Sequence, residues 1–328
     1  MNGMGRRAVT GALCAALAGT RALAQRPGEV PVVGALFLGS EESFRDAVEA
    51  LRDGLRSNGL IENVTVRLVI RYADGDADRL APLARDLVAA RSRLIITIGT
   101  TSVHAVHAAL PDMPIVMAGS ADPVEMGFAR SLARPGGKIT GISILGRELI
   151  GKRMELLTEL VPTAKTFVAL LNASNPGNSV FREALAGATQ SLGVDIRVRE
   201  VRTLEEITDS LAWSARLPAG GVFLIDDPVF TQHRDAIFRA ALAERLPTLS
   251  GNPTYAHAGA LAVYALDNQD IRRQAGRYVA AILRGADPGE LPIAQPTKFT
   301  FVLNLKTARA LGIAIPETIL NRADEVIE

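Results

Sequence analysis

Residues 94–104 read LIITIGTTSVH. An apolar, largely β-branched run (Leu94, Ile95, Ile96, Ile98) stops at Gly99, and three hydroxyls follow at once: Thr100, Thr101 and Ser102. A helical pattern then begins at Val103. A buried strand therefore feeds a helix N-terminus, with amides and hydroxyls at the turn. Such a turn suits an anion, because unpaired N–H groups and the helix dipole both favour negative charge, the dipole by about 0.3–1 kcal/mol. Whether an anion is held there or transformed depends on what else the chain supplies.

The same alternation extends in both directions. VPVVGALFL (30–38) reads as a strand buried on both faces. Ser43 to Asn58 carries Phe44, Val48, Leu51 and Leu55 at helical spacing and stops at Gly59. VTVRLVIRYA (64–73) alternates as a strand, Ala77 to Ala90 and Val103 to Leu110 read as helices, and PIVMAG (114–119) closes the first series. A second series follows Gly151. Its strands are TFVALLN, VDIRVREV, GVFLID, PTLSG and ALAVYAL, and its helices run over Lys152–Leu160, Val180–Leu192, Leu204–Ala215, Thr231–Arg245 and Ile271–Leu283. Alternating strands and helices imply an α/β fold of two doubly wound parallel-sheet lobes. No low-complexity tract separates them, so close crossings are expected rather than a loose linker.

The 328 residues carry 36 Lys+Arg against 35 Asp+Glu, a net charge of +1, which gives no electrostatic footprint for nucleic acid. The single cysteine, Cys14, falls in a segment that reads as a leader. Arg6-Arg7 form its basic start, Val9 to Gly19 its apolar stretch, and Ala22-Leu23-Ala24 a small-x-small cleavage pattern before Gln25. Residues 1–24 are therefore expected to be a cleavable signal peptide, with a periplasmic product lacking cysteine altogether. The arginine pair leaves the general and twin-arginine export routes both open.

In open parallel sheets, ligands sit beyond the carboxyl ends of the strands. Those ends are Leu38-Gly39-Ser40, Gly99 to Ser102, Gly119 to Pro123, Asn172 to Asn175, Asp226-Asp227-Pro228 and Gly251-Asn252-Pro253. The first lobe offers hydroxyls and glycine amides, the second carboxylates and amides. That division suits a zwitterion, although Ser, Asn, Asp and Gly also serve as ordinary caps and turns. Asp227, followed by Pro228, reads as such a cap. Catalytic patterns are missing: there is no GxGxxG after the first strand, no GxxxxGK[ST] and no Gly-x-Ser-x-Gly. His104 and His107 are three apart, but no third ligand accompanies them, so neither a metal nor another cofactor is expected. Trp213 reads as packing on a helix rather than as a stacking platform.

Several segments resemble one family: FRDAVEALRDGLRSNGLIEN, PIVMAGSADPVEMGFARSLARPGGKITGIS and PTKFTFVLNLKTARALGIAIPETILNRADEVIE. The chain is similar to bacterial ABC transporter substrate-binding proteins whose better-known members bind tryptophan and other aromatic or apolar amino acids. The resemblance implies a type I periplasmic-binding fold with about three crossovers at the hinge, and a ligand captured by closure. On that pattern, lobe 1 takes residues 30–145 and 266–298, and lobe 2 takes 146–265 and 299–328. It implies a membrane permease and an ATPase as partners, with the binding protein itself a monomer.

Carried over by position, Ser40, Thr100, Thr101 and Ser120 would face a carboxylate. Asn172, Asn175 and Asp226 would come from the other lobe, with Asp226 meeting an ammonium, and Phe37 and Tyr255 would line the side-chain pocket. The chain departs from the family pattern at IENVTV, which lacks the expected Gly-x-Asn turn. IDDP and SGNPTY fall in loops that vary among members. A sensory ligand-binding role on the same fold, or an exported α/β enzyme using Asp226, are the competing readings.

Overall fold

The computed structural model describes residues 30–144, 146–217 and 219–328. The leader expected over residues 1–24 lies outside them. The first lobe is built from β1 (Val32–Phe37), α1 (Glu41–Ser57), β2 (Arg67–Tyr72), α2 (Leu80–Ala89), β3 (Ser92–Thr97), α3 (Thr100–Ala109), β4 (Ile115–Ser120) and β5 (Ile139–Ser143). Its sheet is parallel throughout, in the order β2-β1-β3-β4-β5. β1 is fully buried and divides its side chains with a period of two. Leu36 and Leu38 enter one core cluster with Ile95, Val103 and Val106, whereas Val33, Ala35 and Phe37 enter another with Phe44, Leu51 and Ile271. Each such Leu, Ile or Phe contributes about 1.5–3 kcal/mol by leaving water.

The chain crosses after Ser143 into α4 (Gly146–Leu160) and the second lobe. There follow β6 (Thr166–Asn172), α5 (Asn178–Leu192), β7 (Asp195–Val201), α6 (Leu204–Ala215), β8 (Ala219–Leu224), α7 (Pro228–Gln232), α8 (Arg234–Ala243), β9 (Thr248–Ser250), α9 (Thr254–Ala258) and β10 (Ala262–Leu266). After Leu266 the chain returns to the first lobe as α10 (Asn268–Leu283) and a segment whose Ala294 bridges Ile142 beside β5. It crosses a third time into β11 (Phe299–Asn304), α11 (Leu305–Leu311), α12 (Glu317–Leu320) and β12 (Glu325–Ile327). The second sheet runs β12-β11-β10-β9-β8-β6-β7, with β10 and β11 antiparallel and the other pairs parallel.

Of the differences from the sequence reading, three lie beside the facing strand ends. Helix α3 begins at Thr100 rather than Val103, so the three hydroxyls form its first turn. The helix expected over Thr231–Arg245 starts earlier, at Pro228, because Asp227 caps it and proline suits a first helical position. It then breaks at His233 (φ −108°), whose carbonyl accepts from Ala236 and Ile237 to start α8. The SGNPTY segment runs into α9, which is ended by Gly259 in a left-handed conformation (φ 115°).

α10 is seated on α1 by a glycine pair. A Cβ on Gly54 would strike the carbonyl of Arg273, and a Cβ on Gly276 would strike the carbonyl of Gly54. The helices therefore touch backbone to backbone. Gly54→Val should destabilise the protein by about 3 kcal/mol or more, the upper end for overpacking. Gly187→Ala, at an exposed helical site with open space around it, should stabilise it by about 0.5–1 kcal/mol. Urea denaturation of both variants checks the contrast.

Candidate ligand cleft

The carboxyl ends of both sheets face each other. On the first lobe, Gly99 adopts φ 86° and donates its N–H to Gly119 at 2.8 Å, which draws the β3 and β4 ends together. The Thr100 hydroxyl oxygen accepts from the Ala121 amide at 3.0 Å and from the Ser120 hydroxyl at 3.4 Å. Ser40 caps α1, accepting from the Ser43 amide at 3.3 Å and donating to the Ser43 hydroxyl at 3.2 Å. The hydroxyls of Thr101 and Ser102 are buried without a partner.

On the second lobe the polar groups form two linked webs. The amides of Asn172 and Asn175 donate to the two carboxylate oxygens of Asp227 at 3.0 and 2.8 Å, and the Val229 amide donates to it at 3.0 Å. Asp227 is 2% exposed; burial pushes its pKa up to about 6, and the three donors oppose that shift. In the second web, Asn252 donates to Asp226 at 3.2 Å and to the Thr231 hydroxyl at 3.1 Å. Thr231 in turn meets the Tyr255 hydroxyl at 3.0 Å. Arg153 is buried, donates Nε to the Tyr264 carbonyl at 2.8 Å, and lies where any side chain on Gly251 would collide with it. Burial lowers its pKa to about 10, and Asp226 is the first charge that opposes the loss.

The lobes touch across the cleft. Gly99 faces the Pro228 ring, Gly177 faces the Thr100 methyl group, and Gln232 donates to the Asp74 carbonyl at 3.4 Å. At the rim, Arg147 of α4 reaches both Glu125 of the first lobe, at 2.6 Å, and Glu183 of the second, at 3.0 Å. Two cavities lie between the lobes. One of about 360 Å³ is lined by Leu38, Gly75, Asp76, Asn172, Ser174 and Val229 among others. The other, about 310 Å³, is lined by Thr101, His104, Ala173, Asn175 and Pro176 among others. Both sit at the lower end of the range for small-molecule sites. A larger hollow of about 1270 Å³ is lined by Ser92, Pro114 and Pro288 among others. It opens at the opposite, amino end of the first sheet, away from these polar webs.

Of the residues singled out from sequence, Asn172, Asn175, Asp226, Thr100 and Ser120 all lie at the facing strand ends, and Thr101 lines an interlobe cavity. Ser40 accepts from the Ser43 amide, and Thr100 from the Ala121 amide and the Ser120 hydroxyl, all within their own lobe. Phe37 stacks on Phe44 at 5.0 Å within the first core. Tyr255 packs on Phe238 at 5.2 Å in the second lobe, presenting only its hydroxyl to the polar web. His104 and His107 flank Phe128, and no cluster of three or more metal-ligating side chains occurs among the described residues. Trp213 is covered by the Arg199 guanidinium at 4.8 Å. Arg153 was not singled out from the sequence, and Asn252 was named there only within the strand end Gly251-Asn252-Pro253. Arg153 had a signal, a charge set among Leu149, Ile150, Met154 and Leu157 on an apolar helix face.

A family model described as ABC transporter substrate binding protein matches residues 33–327. The chain belongs to that family. A tyrosine-binding protein of Clostridioides difficile (strain R20291) is 23% identical over 281 residues, covering 86% of this chain and 81% of the relative. Among solved structures, the ABC domain from Streptococcus pneumoniae in complex with L-Trp superposes with a TM-score of 0.84 at 24% identity, over 91% of this chain and 100% of that one. The ligand-free, open structure of a substrate binding protein with adhesive properties from Clostridium difficile gives 0.63 at 20% identity, over 91% and 99%. These relatives are substrate-binding proteins rather than enzymes, and the chain has their fold of two α/β lobes. No described helix is long and apolar enough to cross a membrane.

Asp227 couples folding to pH. Its carboxyl keeps its proton up to about pH 6 when folded, whereas the unfolded group releases it near 3.8. The folded state therefore binds more protons between these values, and this contribution to stability falls as pH rises through them, by up to about 3 kcal/mol. Asp227→Asn should lose that slope. Melting temperatures of wild type and variant from pH 4 to 7.5 check it, and parallel curves would assign the slope to other groups.

Proposed function

We propose that this protein is the extracytoplasmic binding component of an ABC importer, delivering a small amino-acid-like ligand with an aromatic or apolar side chain. The observation that carries this reading is the pairing of a carboxylate-and-amide web on one lobe with hydroxyls and helix N-terminal amides on the other, across interlobe cavities of amino-acid size. The tyrosine-binding relative and the L-Trp complex on the same fold support the ligand class. The leader-like residues 1–24 support a periplasmic location, and a permease and an ATPase would be the partners of a monomeric binding protein.

In this reading Asp226 receives the ligand's ammonium, with Asn172 and Asn175 fixing the neighbouring Asp227. Thr101 and Ser102 hold unspent hydroxyls beside the α3 N-terminus. Capture needs no chemistry: desolvation, hydrogen bonds and lobe closure suffice.

Thermal shift of the protein from Gln25 onward against the amino acids tests the proposal. A cognate ligand at a hundred times its dissociation constant adds about 2.7 kcal/mol of stability, and an aromatic amino acid should lead the series. Asp226→Asn should weaken that ligand by about tenfold or more, through loss of a charge-assisted bond. A panel in which no amino acid raises the melting temperature would sink the reading.

A further inference from the structure

Where the chain re-enters the first lobe, two polar atoms are shielded from water and bonded to nothing. They are the amide oxygen Oε1 of Gln269 and the guanidinium Nε of Arg272. The two residues are three apart on α10 and so share a helix face. Folded proteins leave few buried polar atoms unpaired, because each forfeits its bonds to water. Here one orphan is an acceptor and the other a charged donor. The rest of the turn is well satisfied: Asp267 accepts from the Asp270 amide at 2.8 Å, and Gln274 donates to the Asp270 carboxylate at 2.6 Å.

The position is as telling as the chemistry. α10 starts two residues beyond Leu266, at the second crossing between the lobes. Ile271 packs at Gly119, beside Ser120 at the end of β4. Burial lowers the Arg272 pKa to about 10, leaving it charged at neutral pH, and Asp226 is the foremost charge sustaining it, ahead of Asp267 and Asp46. A guanidinium binds a carboxylate through two parallel charge-assisted bonds, which the hydroxyls of the first lobe cannot match singly.

We infer that Gln269 and Arg272 read the charged end of the ligand. Arg272 donates to its carboxylate, and the Gln269 oxygen, together with Asp226, accepts from its ammonium. This rests on the amino-acid reading above and narrows it: the site requires both a free α-carboxylate and a free α-amine on one molecule.

Calorimetric titration tests it with three probes of each aromatic type. The tyrosine set is L-tyrosine, tyramine and 3-(4-hydroxyphenyl)propionate; the tryptophan set is L-tryptophan, tryptamine and indole-3-propionate. The wild type should bind one of the amino acids and prefer it to both of its truncated relatives. Arg272→Gln should weaken the amino acid and the deaminated acid by about ten- to a hundredfold while leaving the amine unchanged or tighter, since a repelling charge has gone. Arg272→Lys should recover part of the loss. Gln269→Leu should weaken the amino acid and the amine but spare the deaminated acid. Circular dichroism of each variant establishes that it is folded.

A uniform loss across all three probes would make the two residues structural and overturn the inference, as would unchanged amino-acid affinity in the folded variants. Either result leaves the amino-acid reading standing. A wild type that binds neither amino acid overturns that reading and this inference together.

Discussion

The backbone contact between α1 and α10 is the constraint on which the two-lobed arrangement depends. Gly54 and Gly276 allow the helices to meet without intervening side chains. That close approach gives the returning segment a place on the first lobe after β10 has been built into the second. The chain must then cross again to reach β11. Covering the first sheet with a helix from late in the sequence makes each lobe discontinuous, and it brings the start of α10 to the cleft. A larger residue at either glycine would separate the helices and shift every group on that first turn.

Much of this was legible in the sequence because the strands are unambiguous. LIITIG and VPVVGALFL are too continuously apolar for any position but the middle of a covered sheet, and the turns after them mark the carboxyl edge of that sheet. Less legible was whatever depends on partners distant in the chain. Nothing in the spacing of residues 268–283 says which sheet they cover; two glycines on separate helices decide it. The antiparallel pairing of β10 with β11 is likewise silent in their composition, since both are short apolar strands. The break at His233 has no proline or glycine to announce it.

For the cleft, the sequence named the turns at the strand ends but not the state of their atoms. Ser40 offers a hydroxyl at a strand end, yet its oxygen is committed to capping α1. Phe37 follows the same logic: next to the edge in sequence, it turns into the core because β1 alternates. Asp226 and Asp227 are adjacent, but Pro228 makes the second a cap, and its burial among two asparagines follows. The cations Arg153 and Arg272 were the hardest to foresee. Each belongs to a helix that carries other arginines, and only the fold decides which of them is buried.

Arg147 divides the labour between the edge of the cleft and its interior. Its contacts with Glu125 and Glu183 are open to solvent and therefore screened by salt. The groups around Asp226 and Asp227 are shielded from that screening. Ionic strength therefore loosens the contact between the lobes at their rim and leaves the polar groups inside almost untouched. The grip of one lobe on the other and the polarity of the space between them are thereby set by different atoms.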